Sequence, residues 1–149
     1  MEILTDNRQT RIEFDSPLLT TRASRVLEDL GCSPSAILSL SIVDADEMAE
    51  LNRVYRGKDG PTNVLSFAQH EGPPVGPETD LLGDVVICAD RAHGDAAELG
   101  YSVDEMMAYL LIHGILHLEG YTHDQAMDSS AMAAKVEDIF QKLVPCSEP

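Results

Sequence analysis

The sequence predicts an α+β fold: a single domain over residues 1–149 in which a small mixed β-sheet is covered by helices. Three observations carry that expectation. A length of 149 residues with 44% hydrophobic side chains suits one core and no second domain. Apolar residues recur at helical spacing in several capped segments, whereas clear period-2 alternation is confined to short ones. The predicted order, α-β-α-β-β-α-α-α, clusters the strands rather than alternating them regularly with helices.

Taken in order, Ser16-Pro17 sets a capping residue before a proline at the first helical position. Leu19, Ala23, Val26, Leu27 and Leu30 then follow at helical spacing up to Gly31. In ILSLSIV, residues 37–43, Leu38, Leu40 and Ile42 alternate with Ser39 and Ser41, the pattern of a half-buried strand. Asp44 and Glu47 resemble a capping box opening a short helix with Met48, Leu51 and Tyr55 on one face, stopped near Gly57. NVLSF (63–67) and GDVVICA (83–89) read as strands of a hairpin, joined by the Pro- and Gly-rich loop HEGPPVGPETD. A helix over 89–99 ends at Gly100. Ser102 with Glu105 makes a second capping box, and a last helix over 126–143 keeps Met132, Val136, Ile139 and Leu143 to one side.

Composition excludes several classes. The apolar run AYLLIHGIL, residues 108–116, is far shorter than the roughly 20 residues that cross a bilayer, so no membrane span is expected. The N-terminal stretch lacks the features of a signal peptide, so the expected compartment is the cytoplasm. Cys32, Cys88 and Cys146 are widely spaced without a C-x-x-C pair, which favours reduced packing residues over disulfides or a thiolate metal site. A net charge of −16 opposes general nucleic-acid binding, and no DNA partner is expected.

The chemistry concentrates in HGILHLEGYTH, residues 113–123. His113 and His117 lie four apart on a helix, so their rings leave one face a turn apart and can reach one ion. Gly120 permits the chain reversal that carries His123 back beside them. Three neutral imidazoles on a helix and the turn after it suit one zinc or similar divalent ion with an open position, the pattern of a catalytic site. His70 and His93 have no partner spacing, and surface roles are expected for both. The ligand spacing matches the metzincin proteases, H-E-x-x-H-x-x-G-x-x-H, except that Gly114 replaces the glutamate which serves as base and acid in peptide hydrolysis. Phosphodiester cleavage depends less on such a residue. There a metal can lower the pKa of water toward ~7 and polarise a phosphoryl oxygen, while nearby cations stabilise the developing charge. Arg53, Arg56 and Lys58 in LNRVYRGKDGPTNVLSF, residues 51–67, provide cations. The same cluster also suits a solubilising helix end.

These two segments, with LLGDVVIC between them, resemble the YbeY family of bacterial metal-dependent endoribonucleases, a likeness spanning residues 51–124. The resemblance implies an α+β fold, one zinc ion, and a role in maturing ribosomal RNA at the 3′ end of the small-subunit RNA and in ribosome quality control. It implies metal ligation by His113, His117 and His123, and catalysis by Arg56 together with the ligand His113. Arg53 and Lys58 are expected to bind substrate. Asp84 either orients a histidine or bonds to a nearby turn. Thr122 stands where the family usually has aspartate, so a carboxylate beside His123 is missing unless Asp124 substitutes; Ala68 stands where a proline often follows. The expected partners are ribosomal RNA and the ribosome or its small-subunit proteins. Two other readings suit the same residues: an assembly factor with a structural metal, docking through its negative charge, and a metallopeptidase.

Overall fold

The computed structural model describes residues 1–68, 81–119 and 126–144, with side chains of the last segment described from residue 132. The chain forms β1 (Glu2–Asn7), α1 (Ser16–Asp29), β2 (Ile37–Val43), α2 (Ala45–Arg56) and β3 (Val64–Ala68). It continues through β4 (Leu81–Cys88), α3 (Ala89–Leu99), α4 (Val103–Leu118) and α5 (Ala126–Leu143). The strands make one mixed sheet in the order β1-β2-β4-β3. β1 and β4 run parallel to β2, and β3 runs antiparallel to β4. This is the α+β sheet covered by helices that the sequence predicts.

One strand is additional to the predicted order. β1 is an edge strand whose residues are at most half-buried; exposure alternates along it, but the apolar Leu4 falls on the exposed side at 50%, so its apolar residues show no period-2 pattern. Its place comes from the backbone ladder to β2, from Glu2 beside Ile37 to Asn7 beside Ile42. A side-chain contact, Thr5 Oγ1 to Thr20 Oγ1 at 2.8 Å, ties it to α1. With β1 in place, α1 is the crossover of a parallel β-α-β unit, and only β3 to β4 keeps the antiparallel connection. The start of α1 also moves by one residue. Asp15 is its cap, accepting from the Leu18 amide at 3.0 Å, while Ser16 and Pro17 lie in the first turn.

The two sheet faces have separate apolar layers. Leu38, Leu40 and Ile42 of β2 and Val85 and Ile87 of β4 pack with α1 and α4 in the larger core. On the other face Val43, Leu65, Val86 and Cys88 pack around Met48 of α2. Each large side chain fully buried in these layers contributes about 1.5–3 kcal/mol. Helix α4 is apolar on nearly every side because it lies between the sheet and α1, α3 and α5. The capping box at its start is complete: Ser102 Oγ accepts from the Glu105 amide, and Glu105 accepts from the Ser102 amide at 2.7 Å. Gly83 marks a bulge where β2 and β4 shift register. Its φ of 143° and the Phe67 carbonyl 2.3 Å from any added Cβ make this a glycine position.

Burial accounts for the described cysteines. Cys88 lies within the core, and burial holds its thiol above the ordinary range. The half-buried Cys32 is pushed up to about 11, first by burial and then by nearby Glu119. Both fit the packing role expected of them, and Cys146 lies outside the described residues. Among the described residues no helix is long and apolar enough to cross a membrane.

Candidate functional site

The capped, rigid α4 places His113 and His117 one turn apart near its C-terminal end, both half-buried. Their Nε2 atoms approach to 3.1 Å, with ring centroids 4.8 Å apart and the planes at 60°. Two nitrogens bound tetrahedrally to one zinc at about 2.0–2.1 Å would lie about 3.3 Å apart. The described donor pair therefore fits a shared ion with little adjustment. His123 lies outside the described residues, as do Gly120, Thr122, Asp124 and His70. His93 is exposed on α3, as expected.

Gly114, between the two histidines in sequence, points elsewhere. A Cβ on it would lie 2.7 Å from Val85 Cγ1 and 3.2 Å from Ser66 Oγ. Position 114 is thus where α4 presses on β3 and β4, and its side chain would enter the sheet rather than the histidine site. The glutamate of a zinc protease has no room here, which removes the geometric support for the metallopeptidase reading.

Arg56 is the last residue of α2, followed by Gly57 with φ 67° as a left-handed cap. Its Nη2 donates to the Ser66 carbonyl at 2.7 Å on edge strand β3. Its guanidinium carbon stands 5.4 Å from the Phe67 ring centroid, a cation–π arrangement. Ser66 Oγ in turn donates to the Gly114 carbonyl at 2.8 Å. The sequence Arg56–Ser66–Gly114 thereby links the end of α2 to the turn of α4 that carries the histidines. Ser66 belongs to no spacing pattern in the sequence. Its signal was a small polar residue on the side of β3 that faces a helical glycine. We expect Ser66→Ala to lower the unfolding free energy by about 1 kcal/mol through loss of that hydrogen bond. An unchanged urea midpoint would mean that the hydroxyl contributes nothing to holding α4.

The other two predicted cations are also exposed at this end of α2. Arg53 pairs with Glu50, a surface contact worth about 0–1 kcal/mol and easily exchanged for another anion. Lys58 lies in the following turn, which is pinned by the buried Asn52: its Nδ2 donates to the Gly60 carbonyl at 2.8 Å. Neither expectation for Asp84 holds. It faces α2, across the sheet from α4, and lines a cavity of about 310 Å³ with Arg8, Ser41, Tyr55 and Phe67. The sheet separates it from His113 and His117.

Fold and site together define a class: a small α+β protein with paired imidazoles on its central helix and an arginine held at the adjoining sheet edge. Residues 4–144 match the family described as Endoribonuclease YbeY. The Endoribonuclease YbeY of Syntrophotalea carbinolica is 42% identical over 140 residues, covering 93% of each chain. That of Pelotomaculum thermopropionicum is 42% identical over 148 residues, covering 96% of this chain and 97% of the relative. The solution structure of TM1509 from Thermotoga maritima is similar at TM-score 0.61 and 26% identity, covering 95% of this chain and 88% of that one. The chain belongs to the Endoribonuclease YbeY family.

Proposed function

We propose that this protein is a zinc-dependent, single-strand-specific endoribonuclease that matures the 3′ end of small-subunit ribosomal RNA and takes part in ribosome quality control in the cytoplasm. The observation that carries the reading is the pair of Nε2 atoms 3.1 Å apart on a helix that Ser66 ties to Arg56. His113, His117 and His123 would hold the ion. When bound, it supplies Lewis-acid polarisation of a phosphoryl oxygen and a water of lowered pKa.

The chain's own residues do the rest. Arg56 exchanges a neutral carbonyl partner for the scissile phosphate, whose oxygens its planar fork can engage bidentately, and so stabilises charge developing at phosphorus. Arg53 and Lys58, within a few residues of it, hold flanking phosphates. The net charge of −16 opposes capture of naked RNA. Docking to a basic small-subunit ribosomal protein supplies the proximity that this charge denies.

The test is to incubate zinc-loaded protein, beside its His117→Ala variant, with ribosomal particles carrying unprocessed small-subunit RNA, and to map new RNA ends. Cuts near the mature 3′ end with the intact protein alone are expected. Ribosome binding without any cut would overturn the nuclease reading in favour of an assembly role.

A further inference from the structure

The cavity between α2 and the sheet is not used by the cleavage chemistry. Its volume of about 310 Å³ is at the low end of the roughly 300–1,000 Å³ typical of small-ligand sites. Its walls combine two ring systems with hydrogen-bonding groups of both kinds. Tyr55 is 62% exposed, and its ring meets Phe67 edge-on at a centroid distance of 5.2 Å. Phe67 serves two sites at once, lining the cavity and lying under the Arg56 guanidinium. Asp84 supplies acceptors, Arg8 donors, and Ser41 either. No hydrogen bond or ion pair among the described residues engages the Asp84 carboxylate.

Aromatic platforms beside a basic segment are the usual means of holding a single strand, with bases on the rings and phosphates on the cations. A cationic side chain is the rival occupant. It would find the Asp6 and Glu47 carboxylates already engaged by Arg8, and would meet a Phe67 ring already covered by Arg56. A neutral base sets no like charge beside Arg8 or Arg56, and its stacking partner is the exposed ring of Tyr55 rather than the covered ring of Phe67.

We infer that this cavity binds one nucleobase of the RNA strand, adjacent to the phosphate held by Arg56, and that Asp84 selects a base carrying an amino group. The inference rests on the nuclease reading for the identity of the strand. Guanine, with adjacent N1–H and N2–H donors, suits a carboxylate best, whereas uracil offers a single N–H between two carbonyls.

Two measurements test it. In the first, AMP, CMP, GMP and UMP are titrated into the full-length protein and followed by amide chemical shifts. The expected shifts fall on the cavity residues. GMP should bind about tenfold more tightly than UMP, Tyr55→Ala should weaken all four about tenfold, and Asp84→Asn should erase the preference. In the second, single-stranded RNAs of varied sequence are cut by the same proteins. Tyr55→Ala should raise KM with kcat kept, and Asp84→Asn should change the base preferred beside the cut. Nucleotides that shift no cavity residue, or RNA cut with unchanged KM and preference by both variants, overturn the inference and leave the nuclease reading standing. Nucleotides bound in the cavity of a protein that cuts no RNA support the base site and defeat the nuclease reading. An oligo-arginine peptide that occupies the cavity through Asp84, with no nucleotide binding there, overturns the inference in favour of protein docking.

Discussion

Under the proposed zinc reading, Arg56→Ala is expected to lower RNA cleavage by about 10²–10³-fold and to keep the parent's metal content. His117→Ala is expected to lose both. The split follows from where the two residues sit. His117 Nε2 is half of the donor pair at 3.1 Å, so its removal takes away one of the proposed ligands. Among the described residues Arg56 reaches the histidine helix through Ser66, so its truncation is expected to leave those nitrogens in place. Its loss costs the fold one surface hydrogen bond and a cation–π contact of about 0.5–1 kcal/mol, too little to unfold the chain. Arg56→Lys should restore little activity, because an ammonium cannot reproduce the bidentate fork. Metal analysis beside a cleavage assay decides the matter. Cleavage at the wild-type rate by Arg56→Ala removes that side chain from the mechanism, and a full complement of zinc in His117→Ala removes His117 from the ligand set.

The parts of the site legible in the sequence are those fixed by local geometry. Two histidines four apart on a helix must share a face, and the Ser102–Glu105 box announces where that helix begins, so α4 and its ring pair follow from spacing alone. Likewise Gly57 marks the end of α2 and so places Arg56 at a terminus. What was not legible depends on the partner across the sheet. Alternation says that Asp84 and Val85 face opposite ways, but which of the two faces α4 is set by the strand order and helix packing, so spacing alone does not separate Asp84 from the histidines. β1 is invisible for a related reason: an edge strand with Leu4 turned outward is held by the β2 backbone rather than by an apolar pattern. Ser66 belongs to the same group, because its value lies in joining two elements distant in sequence.

Gly114 shows how a residue that looked like a missing catalytic group has a packing reason, and it yields the largest expected effect on stability. Restoring the protease-like glutamate, Gly114→Glu, forces a Cβ to within 2.7 Å of Val85 Cγ1 and drives a carboxylate into the apolar layer between α4 and the sheet. Overpacking of that kind costs about 1–3 kcal/mol, and burial of an uncompensated carboxylate adds several more. Against a total stability of about 5–15 kcal/mol, the variant should be largely unfolded or melt far below the parent. Gly114→Ala separates the two costs. It keeps the contact with Val85 but buries no charge, and it gains about 1 kcal/mol of helix propensity, so a net loss of at most about 2 kcal/mol is expected. Val85→Ala removes the atoms in the way, so the Gly114→Ala/Val85→Ala pair should lose less stability than the two single changes added together. Calorimetric melting of the four variants reads all of these terms. If Gly114→Glu melted with the parent and cleaved unfolded casein in a chelator-sensitive reaction, α4 would have to sit off the sheet at residue 114, and the peptidase reading would return.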